Sequence, residues 1–137
     1  MNAKTKMSDE WETPDWLFRY LDTEFKFTFD AAANKENTKC ARWAGDIENE
    51  WRYIKPHDHV FCNPPYSNIR PFIEIALRLH AVWVFLLPAN RSDTDWFHTL
   101  YADERVHIRW MTRRIRFLEN GVQQKSPRFP SMIAIIK

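Results

Sequence analysis

Glycine is nearly missing from this chain: of 137 residues only Gly45 and Gly121 lack a side chain. A glycine-rich turn, the usual device for bringing backbone close to a ligand, cannot be assembled from two such distant positions. Cysteine is as scarce. Cys40 and Cys62 form no CxxC pair and offer no zinc spacing, so both are expected as free thiols, with Cys62 a small core residue and no metal bound. No apolar run approaches the roughly 20 residues of a membrane span, and the polar start Met1-Asn2-Ala3-Lys4 lacks a signal-peptide core. A cytoplasmic protein without a membrane partner is expected.

What the chain does have is enough to fold. At 45% hydrophobic and 15% aromatic it is globular, and 137 residues make one domain. Residues 1–10 are polar without periodicity and are expected to be a flexible arm; residues 11–137 form the single domain. The net charge of +2 is unevenly spread. Residues 1–50 carry seven Lys/Arg against eleven Asp/Glu, a net −4, whereas residues 101–137 carry eight against three, a net +5. A polyanion would dock most naturally on that C-terminal quarter.

Periodicity supplies the elements. Thr13 reads as an N-cap with Pro14 at the first helical position, followed by Trp16, Leu17, Tyr20 and Leu21 at helical spacing. Phe25-Lys26-Phe27-Thr28-Phe29 alternates like a strand and ends at Asp30, directly before the small residues Ala31, Ala32 and Ala33. Residues 34–54 are polar and hard to read. Phe72, Ile73, Ala76, Leu77 and His80 predict one helical stripe, with Glu74 and Arg78 spaced i, i+4 on another. Ala81–Leu87 is a continuous apolar run, as in a parallel strand covered on both faces. A strand at Val60–Cys62, that helix and this strand make a βαβ unit, so the sheet is expected to be mostly parallel. A polar loop then leads to a short helix beginning at Trp96. Val106–Trp110, the alternating Arg113–Leu118 and the closing Met132–Ile136, with a turn at Glu119-Asn120-Gly121, are expected to form an antiparallel C-terminal edge.

The chemistry concentrates in Val60-Phe61-Cys62-Asn63-Pro64-Pro65-Tyr66. A buried strand runs into an amide, two prolines that lack N–H donors, and an aromatic ring. The Asn63 side-chain carbonyl and the Pro64 main-chain carbonyl together suit both hydrogens of a planar –NH2 group, with Tyr66 beside them. The run resembles the (D/N/S)PPY motif of amino-group methyltransferases that use S-adenosylmethionine. That resemblance implies a Rossmann-like α/β fold with the motif at the carboxyl edge of the sheet. The wider chain is similar to the small phage-type DNA N-6-adenine methyltransferases. Trp11-Glu12-Thr13-Pro14, Phe29-Asp30-Ala31-Ala32, Leu87-Pro88-Ala89, Asp95-Trp96-Phe97, Arg109-Trp110, Arg114-Ile115-Arg116-Phe117 and Phe129-Pro130-Ser131-Met132 carry that likeness alongside the central motif.

This second resemblance implies S-adenosylmethionine as cofactor, double-stranded DNA as substrate, a phage or prophage origin and hence the host cytoplasm. Asn63, Pro64, Pro65 and Tyr66 would form the catalytic pocket, into which the target base flips. Thr13, Pro14, Asp30, Ala31 and Ala32 would receive the cofactor, with Asp46 open between an adenine contact and a helix cap. Arg91, Arg109, Arg113, Arg114 and Arg116, with Ser67 and Asn68, are the candidates for DNA. Two alternatives stay open: a protein glutamine methyltransferase, because a glutamine amide presents the same –NH2, and an inactive DNA-binding remnant, suggested by the missing glycines. The sequence leaves open the oligomeric state, monomer or weak dimer, and the recognised DNA site.

Overall fold

The computed structural model describes residues 11–124 and 129–137; the expected arm at residues 1–10 lies outside them. Its centre is a five-stranded sheet built from β1 (Phe29–Asp30), β2 (His59–Cys62), β3 (Val82–Pro88), β4 (Val106–Trp110) and β7 (Ser131–Ile136), in the order β1-β2-β3-β7-β4. β1, β2 and β3 are parallel, with Phe29 opposite Val60 and Val60 opposite Trp83. β7 runs antiparallel to both β3 and β4, so β4 points the same way as the parallel set. The expected antiparallel C-terminal edge is present as the pair β7 and β4, with the reversed strand β7 inside the sheet and β4 outermost. Every residue of β7 is buried, which explains its interior place, whereas β4 alternates between half-buried and exposed.

Alternation along the strands sorts side chains into two cores. Phe29, Val60, Cys62, Trp83, Phe85, Leu87, Met132 and Ala134 face one side, against α3 (Arg70–Arg78) and α4 (Asp95–Tyr101). Phe61, Val84, Leu86, Ile133 and Ile135 face the other, against α1 (Asp15–Phe25) and the extended stretch containing Ile115 and Phe117. The molecule is therefore three layers thick, and β3 is covered on both faces, as its unbroken apolar run requires.

The expected strand at residues 25–29 is mostly helix end and turn. Phe25 completes the buried stripe Leu17-Leu21-Phe25 of α1. Lys26 then takes a left-handed conformation at φ 54° and gives its N–H to the Asp22 carbonyl, while the Asp22 side chain accepts the Phe27 N–H at 2.8 Å. Only Phe29 and Asp30 remain to pair. At the other end, Pro14 and not Thr13 is the capping residue, with ψ near 142°. In α3 the helix stops at Arg78, so His80 falls outside the stripe, and Glu74 pairs with Arg70 at 3.1 Å instead of with Arg78. The Arg113–Leu118 alternation is right in burial, since Ile115 and Phe117 are buried between exposed arginines. It does not join the main sheet. Instead β5 (Leu118–Glu119) and β6 (Val122–Gln123) make a separate hairpin around Asn120 and Gly121, both at positive φ.

Candidate active site

At the carboxyl ends of β1 and β2 lies an open cavity of about 410 Å³, and Asp30 and Asn63 both line it. Parallel pairing puts these two residues there: Asp30 pairs with Phe61, two positions before Asn63. The strap Trp11-Glu12-Thr13 closes a further wall, and Ala32, Ala33, Asn34, Asn37, Lys39 and Gly45 contribute the loop side.

Asp30 is 3% exposed. Its carboxylate accepts the Lys39 N–H at 2.9 Å and the Ala32 N–H at 3.3 Å, folding the loop after β1 back over the strand end. Burial nonetheless dominates and pushes its pKa up to about 6, with the two backbone donors and the Lys39 charge acting the other way. Ala31 and Ala33 on either side of Ala32 are held by backbone: Ala31 donates to Phe61, Ala33 to Ala44, and Ala44 back to Asp30. Gly45 faces this turn across the chain, where an added Cβ would meet the Ala33 carbonyl at 3.4 Å. One of the two glycines therefore lines the site after all, reached from residues 42–46 and not from the turn after β1.

Asn63 gives its amide nitrogen to the Trp11 carbonyl at 3.2 Å and to the Thr13 hydroxyl at 3.1 Å. Its amide oxygen and the Pro64 carbonyl accept no hydrogen bond from the described residues. Pro65 lines the cavity and its carbonyl accepts the Asn68 N–H, turning the chain toward α3. Tyr66 stands apart. Half-buried, it meets Phe117 and Phe129 edge-on at 6.2 and 5.5 Å and donates to the Leu86 carbonyl at 3.4 Å, so its ring is not part of the cavity wall. Burial raises its hydroxyl pKa, and that of Cys62, so neither ionises near neutrality.

Other expected site residues divide. Thr13, Asp30 and Ala32 line the cavity; Pro14 and Ala31 sit just behind it as buried neighbours. Asp46 is outside the lining, exposed at the start of the short helix α2 (Ile47–Glu50), where its side chain accepts from Asn49 at 2.7 Å. Ser67, Asn68, Arg91, Arg113, Arg114 and Arg116 are exposed. Arg109 is engaged: it makes a two-pronged contact with Glu24 at 2.6 and 2.7 Å and lies over the Phe25 ring. Sequence reading did not assign Trp11, Glu12, Asn34 or Phe72 to the site. Trp11 and Glu12 directly precede Thr13, which was the available signal; Phe72 reads as core and gives none. Among the described residues no His, Cys, Asp and Glu cluster could hold a metal, and no helix is long and apolar enough to cross a membrane.

Comparisons with known proteins find relatives of the chain as a whole. Over 143 aligned residues, covering 99% of this chain and 83% of the relative, the chain is 29% identical to a DNA N-6-adenine-methyltransferase of Haemophilus phage HP1. It is 35% identical over 115 residues to a DNA N-6-adenine-methyltransferase of Escherichia phage T1, covering 80% of this chain and about half, 48%, of that longer protein. No solved structure gives a significant match. The family described as DNA N-6-adenine-methyltransferase (Dam) matches from residue 1 to residue 137, and the chain belongs to that family.

Proposed function

We propose that this protein transfers a methyl group from S-adenosylmethionine to the N6 amino group of adenine in double-stranded DNA, on a Rossmann-like methyltransferase fold. The observation that carries the reading is Asn63 Oδ1, which accepts no hydrogen bond from the described residues, at a cavity whose other wall holds the buried carboxylate of Asp30; the carbonyl of the adjacent, buried Pro64 likewise accepts none from the described residues. The cavity is within the size range of small-ligand sites. A carboxylate that burial keeps partly protonated gains most from a cationic ligand, and the sulfonium cofactor is cationic. When bound, S-adenosylmethionine supplies an electrophilic methyl group, so the protein's task is placement.

Asn63 and Pro64 perform that placement. Adenine's amino nitrogen is a weak nucleophile because its lone pair is delocalised into the ring. Two carbonyl acceptors on its two hydrogens favour a more tetrahedral nitrogen and fix the direction of its lone pair. Asn63 is uncharged and takes no proton. The prolines hold the backbone rigid, and Pro64 lacks an N–H that would compete for its neighbours. A base inside a duplex cannot reach this pocket, so the target flips out at a cost of a few kcal/mol. Tyr66 acts as a support for the strand end, packed against Phe117 and Phe129, and not as a flat stacking platform. Arg91, Arg113, Arg114 and Arg116, with Ser67 and Asn68, form the exposed DNA-facing set; Arg109, held by Glu24, is left out of it.

The test is a transfer assay with labelled S-adenosylmethionine on unmethylated duplex DNA, followed by nucleoside analysis. Label in N6-methyl-2′-deoxyadenosine is expected. Label only in protein would favour glutamine methylation, and absence of both transfer and cofactor binding would favour an inactive remnant.

A further inference from the structure

We propose that Trp11 and Thr13 are positioning residues that lock the Asn63 amide in a single orientation, and that this lock is why position 63 holds asparagine and not aspartate. The proposal rests on the reading of Asn63 as the group that grips the substrate amine. A main-chain carbonyl only accepts, so the atom of Asn63 facing the Trp11 carbonyl at 3.2 Å must be the NH2 nitrogen. Its second hydrogen goes to the Thr13 hydroxyl at 3.1 Å, and Thr13 is only 2% exposed. Both donors are consumed. Flipping the amide would set oxygen against oxygen at Trp11, so Oδ1 is left as the one atom available to a ligand.

The carbonyl that enforces this is itself pinned. The Trp11 ring stacks on Phe117 and Phe129 with centroids 5.6 and 5.8 Å apart. Glu12 next to it exchanges two backbone hydrogen bonds with Leu118, at 2.6 and 2.9 Å. The strap therefore cannot swing aside to admit an acceptor at position 63. An aspartate there would present a carboxylate oxygen to the Trp11 carbonyl and lose the contact unless protonated. The charged groups lining the same cavity are Glu12, Asp30 and Lys39. Cys62 and Tyr66 stay neutral, and the variant is read as its rate relative to wild type at each pH.

Three variants of the full chain test this with duplex DNA and S-adenosylmethionine. Thr13→Val should lower kcat about tenfold, the loss of roughly one hydrogen bond. Thr13→Ser, which keeps the hydroxyl, should return kcat to within about threefold of wild type. Asn63→Asp should be slow at pH 8, and its rate relative to wild type should climb about tenfold per pH unit as the new carboxyl protonates. Wild-type kcat in Thr13→Val, or an Asn63→Asp rate ratio that is flat with pH, would overturn the lock. If Thr13→Val does not fold, the near-isosteric Asn63→Asp profile decides alone. A wild-type protein that transfers no methyl group to DNA would instead overturn the function on which the proposal rests.

Discussion

Asp30 combines two demands that pull against each other. It stands at a strand end where it must order the loop through Lys39 and Ala32, yet it is buried deeply enough that its carboxyl titrates near 6. Because the folded-state pKa is raised, the carboxyl favours folding most below its unfolded value of 3.8, and that advantage is lost as pH rises through about 6. Between pH 4 and pH 7 the stability of Asp30→Asn relative to wild type should therefore increase, by an amount on the order of 3 kcal/mol. Urea unfolding midpoints at both pH values measure it; a constant difference would mean that the carboxyl is ordinary. Ligand binding gives an independent check. A cation placed beside Asp30 favours the ionised form, so S-adenosylmethionine should release protons on binding near pH 6 and bind more weakly below it. Calorimetry in two buffers of different ionisation enthalpy reads that release directly, and equal heats would exclude it.

The Asn120-Gly121 hairpin is where local chemistry can be separated from packing. Gly121 sits at φ 79° with nothing within 4 Å of an added Cβ, so a side chain there meets strain and no clash. Gly121→Ala should destabilise by about 1 kcal/mol through backbone conformation alone; an unchanged unfolding midpoint would show that the turn relaxes freely. This turn was visible in the sequence because asparagine-glycine chemistry is local. So were β2, α3 and β3, whose apolar patterns are long enough to state their burial. The strand expected at residues 25–29 failed for a definite reason: Phe25 serves the period-3.6 stripe of α1 as well as the period-2 pattern of Phe25-Phe27-Phe29, and the Asp22 side chain and left-handed Lys26 decide for the helix. The interior place of β7 was equally hidden, because Ser131–Ile136 says that it is buried but not between which strands. In the site, Asn63 and Asp30 were legible from their positions at strand ends. The grip of Trp11 on Asn63 spans 52 residues and leaves no local pattern.

On the scale of the whole molecule, charge is divided between the acidic residues 1–50 and the basic C-terminal quarter, and among the described residues Arg109 and Glu24 form an ion pair between them. Arg109 and Glu24 are each 43% exposed, so their pair contributes little to stability and mainly occupies the guanidinium. Arg116→Ala should reduce the slope of log affinity for DNA against log salt by about 0.9, whereas Arg109→Ala should leave it unchanged. Equal slopes for the two variants would place the DNA elsewhere. Turnover on DNA draws on all of these parts together, and one substitution interrogates the pocket at its centre. Asn63→Ala, assayed for methyl transfer to duplex DNA and by calorimetry for S-adenosylmethionine, should lose at least about a hundredfold in kcat while cofactor affinity stays near wild type. Unchanged turnover in that variant would contradict the account at its root.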